Sequence, residues 1–222
     1  MNDFYLKRGF TAELRAIGDD ENKTGHIVEG QAAVCEQETR IHYPDYDFVE
    51  VIRRGAFRNT DFSDVRLLVN HNMDGIPLAR SRNNNSSTKP NTMQLVPDDM
   101  AVNIRADLDT FNNEQARALY SAIDRGDIDG MSFCFFVDPK NQRVTEENGT
   151  IYREIFAVDK VIEVSAVNFP AYTGTNIDTR SLESDKRWLD SFRALDSVKD
   201  KNKPDYRAAI LMTMYKKGAN KK

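Results

Sequence analysis

The apolar residues of this 222-residue chain come in short segments, most of them alternating with polar residues. That period of two restricts the chain to a fold built mainly of half-buried strands. Phe10, Ala12, Leu14 and Ala16 alternate in this way, and His26 to Val34 has a similar extended character. Val65 to Asn70 is a short apolar run with a polar end, and Met100 to Leu108 alternates again. Gly130 opens an aromatic-rich run, Met131 to Val137, and two more extended segments follow, Ile151 to Ala157 and Val161 to Phe169, the last closed by Pro170. One segment breaks the period. Between Asn112 and Arg125, Ala116, Leu119 and Ile123 fall at i, i+3 and i+7, which predicts a helix. Asn112 with Gln115 three residues on supplies a capping-box-like start, and Gly126 supplies the left-handed residue after its end. The expected class is α+β, mainly antiparallel β, with one embedded helix. The Arg, Asn, Ser and Thr of Ser81 to Thr92, with Pro90 among them, have neither the period nor the apolar content to pack, which predicts a mobile surface loop.

Near residue 180 the chain changes character. Trp188, Phe192 and Leu195 recur at i, i+4 and i+7 in an amphipathic helical pattern, and Asp205 to Lys217 reads as a second helix after Pro204. The expected organisation is a domain over 1–179 followed by a basic helical tail over 180–222. Charge follows the same division. From Arg180 onward there are 12 Lys and Arg against 6 Asp and Glu, leaving 19 against 29 in the body, within a net charge of -4. An acidic body repels phosphate backbones, so no nucleic-acid partner is expected unless the tail does the binding. The longest apolar stretches fall far short of the roughly 20 residues that cross a bilayer, and no signal-peptide pattern opens the chain. A soluble, non-secreted protein with no membrane partner is therefore expected. Cys35 and Cys134 are the 2 cysteines, too few for a disulfide framework and without zinc-ligand spacing, which fits free thiols in a reducing compartment.

The residues that could carry chemistry are few. Of His26, His42 and His71, the last follows a strand-like run directly, where a rigid element can present it to a cleft. Ser132, in Gly130-Met131-Ser132-Phe133, places a hydroxyl in an apolar strand, where an unpartnered one costs about 1–3 kcal/mol. It is either a small residue bonded to a neighbouring carbonyl or a nucleophile whose proton an imidazole removes. Alternation sets Ser132, Cys134 and Phe136 on one face, which makes Cys134 a rival nucleophile or a buried small hydrophobe. Glu163 sits inside Val161 to Val167, where a buried carboxylate needs a partner such as a His it orients, while a surface-facing Glu is the plainer alternative. Residue by residue, both readings stand for each.

In combination the segments resemble the prohead maturation proteases of tailed bacteriophages, serine peptidases related in fold to the herpesvirus capsid-assembly protease. The landmarks are Arg54-Gly55-Ala56-Phe57; Leu67-Leu68-Val69-Asn70-His71-Asn72 with Pro77-Leu78-Ala79-Arg80; Ile123 to Gly130 leading into Met131-Ser132-Phe133; and Glu163-Val164-Ser165-Ala166-Val167 with Pro170-Ala171-Tyr172. The resemblance implies a herpesvirus-protease-like β-barrel and a serine endopeptidase with His71 as general base, Ser132 as nucleophile and Glu163 as third member. It implies no metal or organic cofactor. Phage scaffold protein and major capsid protein become the expected substrates, with self-cleavage, a homodimer, and action inside the immature capsid in the bacterial cytoplasm. A non-catalytic capsid-assembly protein on the same fold is the alternative.

Overall fold

The structure, a computed structural model, describes residues 6–11, 14–17, 25–43, 46–82 and 91–169. In chain order its strands are β1 (Leu6–Thr11), β2 (Arg15–Ile17), β3 (His26–Val34), β4 (Thr39–Tyr43), β5 (Tyr46–Ile52), β6 (Arg66–Val69), β7 (Ala79–Arg80), β8 (Met93–Pro97) and β9 (Ala101–Leu108). Helix α1 (Glu114–Asp124) follows, and then β10 (Gly130–Phe136), β11 (Gln142–Glu147), β12 (Thr150–Ile155) and β13 (Lys160–Val167). They form a five-stranded sheet in the order β1-β10-β13-β6-β7 and two four-stranded sheets, β11-β12-β5-β4 and β2-β3-β9-β8.

The class is the expected one, antiparallel-rich β with a single described helix. Among the described residues each sheet is open, and no ladder closes a barrel. Two pairings are parallel, β13 with β6 and β12 with β5, and these join segments distant in sequence into separate sheets. The single alternating strand expected from Phe10 to Ala16 is two strands instead. β1 pairs with β10 and β2 with β3, in different sheets. The helical tail over 180–222 and all but the ends of the loop from Ser81 to Thr92 lie outside the described residues.

Helix α1 is capped by Asn113, one residue later than the sequence suggests, its side chain accepting from the backbone N–H groups of Gln115 and Ala116. Gly126 follows at φ +74, a conformation that penalises a Cβ. Ala116, Leu119 and Ile123 are buried, and they join a core that includes Phe57, Leu67, Met131, Phe133, Phe135 and Val164. Phe133 stacks on Phe135 at 4.7 Å and meets Phe57 edge-on at 5.9 Å. Each fully buried side chain of this size contributes roughly 1.5–3 kcal/mol. The aromatic face of β10 therefore anchors the strand. Ser132 and Cys134, at the alternate positions, fall on its other face.

A second anchor is ionic. Arg8 of β1 donates to both carboxylate oxygens of Glu50 in β5, one bond being 3.0 Å, and Arg153 of β12 donates to Glu50 at 2.8 Å. All three are buried, and Arg153 also donates to the Gln142 side chain at 2.7 Å. This cluster ties β1, which flanks β10, to the β5 and β12 pair.

Candidate active site

Three strands meet to place the candidate residues. β10 lies between β1 and β13, so Ser132 has Gly9 as its partner on one side and Ser165 on the other. β13 is central, and its register with β6 aligns Glu163 with Arg66 and Ala166 with Val69. The chain leaves β6 through a tight turn at Asn70 and His71, with φ of 49 and 57. Both central residues are thus left-handed, the pattern of a type I′ turn, and the Asn72 N–H donates to the Val69 carbonyl at 3.1 Å. Asn tolerates this region better than most residues, a physical reason for Asn70 at the first position.

The turn is fastened to β13. The Asn70 N–H donates to the Ala166 carbonyl at 2.9 Å, and the Asn168 N–H donates to the Asn70 side-chain oxygen at 3.1 Å. The His71 N–H donates to the Ser165 hydroxyl at 3.1 Å. So held, the imidazole bridges two strands. His71 Nε2 lies 2.6 Å from Ser132 Oγ, and His71 Nδ1 lies 2.5 Å from Glu163 Oε1. A carboxylate only accepts, so in the neutral ring Nδ1 carries the proton and the Nε2 lone pair faces the serine hydroxyl. That is the arrangement in which an imidazole can take a serine proton.

Burial supports the same chemistry. The Glu163 side chain is 1% exposed and that of His71 17%, while Ser132 is 4% exposed. The carboxylate is removed from water, and the imidazole keeps a partial opening. Ser165, 0% exposed, donates from its hydroxyl to Glu163 Oε2 at 2.6 Å. Ser165 is not among the candidates drawn from the sequence. Its signal was available: a second hydroxyl two residues after the carboxylate lies on the same face of the strand.

The other candidates fall elsewhere. His26 Nδ1 is 2.5 Å from Thr110 Oγ1, and its ring packs on Tyr120 at 4.3 Å, which is a structural setting. His42 lies in β4, in the β11-β12-β5-β4 sheet. Cys134 is fully buried and is the partner of Glu163 across the β10–β13 ladder, with the register shifting just after it. The imidazole is engaged by Ser132, not by this thiol. A groove lined by Arg15, Glu29, Gln31, Gln94, Asn103 and Arg105 lies on the β2-β3-β9-β8 sheet and contains none of the three candidates. Among the described residues no group of three or more His, Cys, Asp or Glu is placed to hold a metal ion, and no described helix is long and apolar enough to cross a membrane.

A family model described as Caudovirus prohead serine protease matches residues 11–187, a span that contains His71, Ser132 and Glu163. No curated protein and no solved structure gives a significant match to the chain.

Proposed function

The chain belongs to the Caudovirus prohead serine protease family, and from that premise we propose that it is an endopeptidase in which Ser132 is the nucleophile, His71 the general base and Glu163 the residue that orients the base. The single observation that carries this reading is the continuous hydrogen-bonded line from Ser132 Oγ through both ring nitrogens of His71 to Glu163 Oε1. Ser132 Oγ attacks the scissile carbonyl carbon as its proton passes to His71 Nε2. The imidazolium, held at Nδ1 by the ionised Glu163, gives that proton to the leaving amine as the C–N bond breaks. Water then attacks the acyl-enzyme, passing its proton to Nε2, and the Ser132 oxygen leaves and is reprotonated.

The substrates in this reading are the precursor forms of the scaffold and major capsid proteins inside the immature capsid, and the chain itself is a further one. Residues 1–179 carry the protease and 180–222 form an appended tail, with a homodimer as the working unit. Co-expression of the wild-type and Ser132→Ala chains with the cognate capsid and scaffold proteins, followed by intact mass analysis, tests the proposal. Discrete fragments with the wild type alone are the expected result, with a loss of about 10⁴-fold or more in the variant. Processing by Ser132→Ala at the wild-type rate overturns it, and particles that assemble with no fragments from either chain favour the non-catalytic assembly role.

A further inference from the structure

We infer that Ser165 is a positioning residue of the active site, whose one hydroxyl fixes the orienting carboxylate and the backbone of the general base together. The inference rests on the reading of Ser132, His71 and Glu163 given above. It deepens that reading by adding a fourth residue whose role is to act through two of the others.

A hydroxyl has one proton to give and lone pairs to receive. Glu163 Oε2, 2.6 Å away, can only accept, so it takes the Ser165 proton. The His71 backbone N–H, 3.1 Å away, can only donate, so it uses a Ser165 lone pair. Both ends of the hydroxyl are thereby assigned, and its rotation is fixed.

Each bond answers a specific need of the site. Glu163 is almost wholly buried, and a carboxylate withdrawn from water stays ionised only if its oxygens are met by donors. His71 meets Oε1 and Ser165 meets Oε2. Without the second donor the carboxylate is free to rotate, and Oε1 is no longer held against His71 Nδ1. The second bond acts on the backbone. His71 sits at φ 57 after Asn70 at 49, a left-handed pair that persists only when its surroundings hold it. The Ser165 oxygen is one of the fixed points that hold the turn against β13.

A plain packing role does not require this arrangement. Alanine fills a buried strand position as well as serine does, with no polar group to satisfy. Ser165 is also the direct partner of Ser132 across the β10–β13 ladder, on the same face of the sheet, so nucleophile, base and carboxylate are all referenced to adjoining positions of that pair.

The test is Ser165→Ala in the full-length chain, assayed on the capsid and scaffold precursors beside wild type and Ser132→Ala, with ¹⁵N-labelled imidazole followed by NMR. The expected result is a fall in kcat of about 10²-fold with KM nearly unchanged, the size of effect that slight misplacement of reacting groups produces. Together with it, the far-downfield Nδ1–H resonance of His71 weakens and the neutral ring becomes a mixture of tautomers. A kcat within about twofold of wild type, or an unperturbed Nδ1–H resonance, overturns the inference. Should Ser165→Ala fail to fold, Ser165→Cys carries the same test, because it nearly preserves volume and replaces the hydroxyl with a poor donor. Ser132→Ala separates the two levels. Full activity in Ser132→Ala sinks the catalytic reading, whereas a dead Ser132→Ala beside a fully active Ser165→Ala sinks only the role of Ser165.

Discussion

Ser132 and Ser165 are direct partners across the antiparallel β10–β13 ladder, so their side chains share one face of the sheet, yet their hydroxyls serve different atoms of the same histidine. The Ser132 oxygen meets the ring at Nε2, and the Ser165 oxygen meets the backbone N–H. The ladder thus sets the distance between nucleophile and base through backbone pairing, which is stiffer than any side chain. Among the described residues, Ser132 and Glu163 sit on strands and His71 on the two-residue turn after β6.

Glu163→Gln preserves shape and removes the charge. A Gln amide can present either its oxygen or its NH₂ to His71 Nδ1, and the second choice moves the ring proton to Nε2, leaving no lone pair there to take the Ser132 proton. The expected loss in kcat is about 10³–10⁴-fold, with KM little changed, measured on the precursor substrates. Activity close to wild type removes Glu163 from the set.

Cys134→Ala separates the thiol from the hydroxyl. Cys134 is fully buried and His71 is bonded to Ser132, so the variant keeps a kcat within a few-fold of wild type and loses about 1–2 kcal/mol of stability from the vacated space. Burial pushes the Cys35 thiol up, partly opposed by the Ala56 and Gly55 backbone N–H groups, so the thiolate is scarce at neutral pH. Thiol alkylation of the native protein is accordingly slow, and it leaves activity intact. Rapid inactivation by an alkylating reagent contradicts this.

Much of this was legible in the sequence, and what was not has physical causes. β9 and α1 carry clean periods, β3 and β10 are extended or aromatic-rich apolar runs, and all four appear within a residue or two of their expected bounds. β4 and β11, Thr-Arg-Ile-His-Tyr and Gln-Arg-Val-Thr-Glu-Glu, are strands made by pairing with neighbours, and their own side chains give little apolar signal. The parallel join of β6 to β13 is beyond local pattern, since Arg66 and Glu163 meet only in the folded sheet. For the same reason His71, Ser132 and Glu163 each admit a plain structural role when taken singly. They lie 61 and 92 residues apart along the chain from His71, and only the sheet brings them within hydrogen-bond reach.

Acid stability depends on the buried ionic cluster. Burial disfavours the charged form of Glu50, and the Arg8 and Arg153 guanidiniums more than offset this, holding its carboxyl below the usual value. A carboxylate whose folded pKa is depressed contributes stability that is fully present above its unfolded value of about 4.3 and is lost as pH falls through the folded one. Thermal unfolding against pH therefore shows a steep decline on the acid side of pH 4 to 5. Glu50→Gln strands two buried cations, lowering stability at pH 7 by about 3–5 kcal/mol and leaving a shallower acid decline. A variant with the wild-type acid slope places the pH sensitivity in other paired carboxylates, among them Glu154 and Asp61.

The turn before His71 gives the last test, because Asn70 contributes through both its backbone and its side chain. Its φ of 49 disfavours a β-carbon without a compensating polar group, and its side-chain oxygen accepts the Asn168 N–H. Asn70→Gly removes the staple but relieves the backbone, whereas Asn70→Ala removes the staple and keeps the steric cost. Ala is therefore expected to be the worse of the two by about 1 kcal/mol in stability. The order extends to catalysis, because a turn that drifts carries the His71 ring away from Ser132 Oγ, and small displacements cost up to about 10²-fold in rate. Urea unfolding and kcat measured on both variants decide it. If Gly is as damaging as Ala in both, the left-handed backbone is not what holds the base, and the Asn168 staple alone accounts for the role of Asn70.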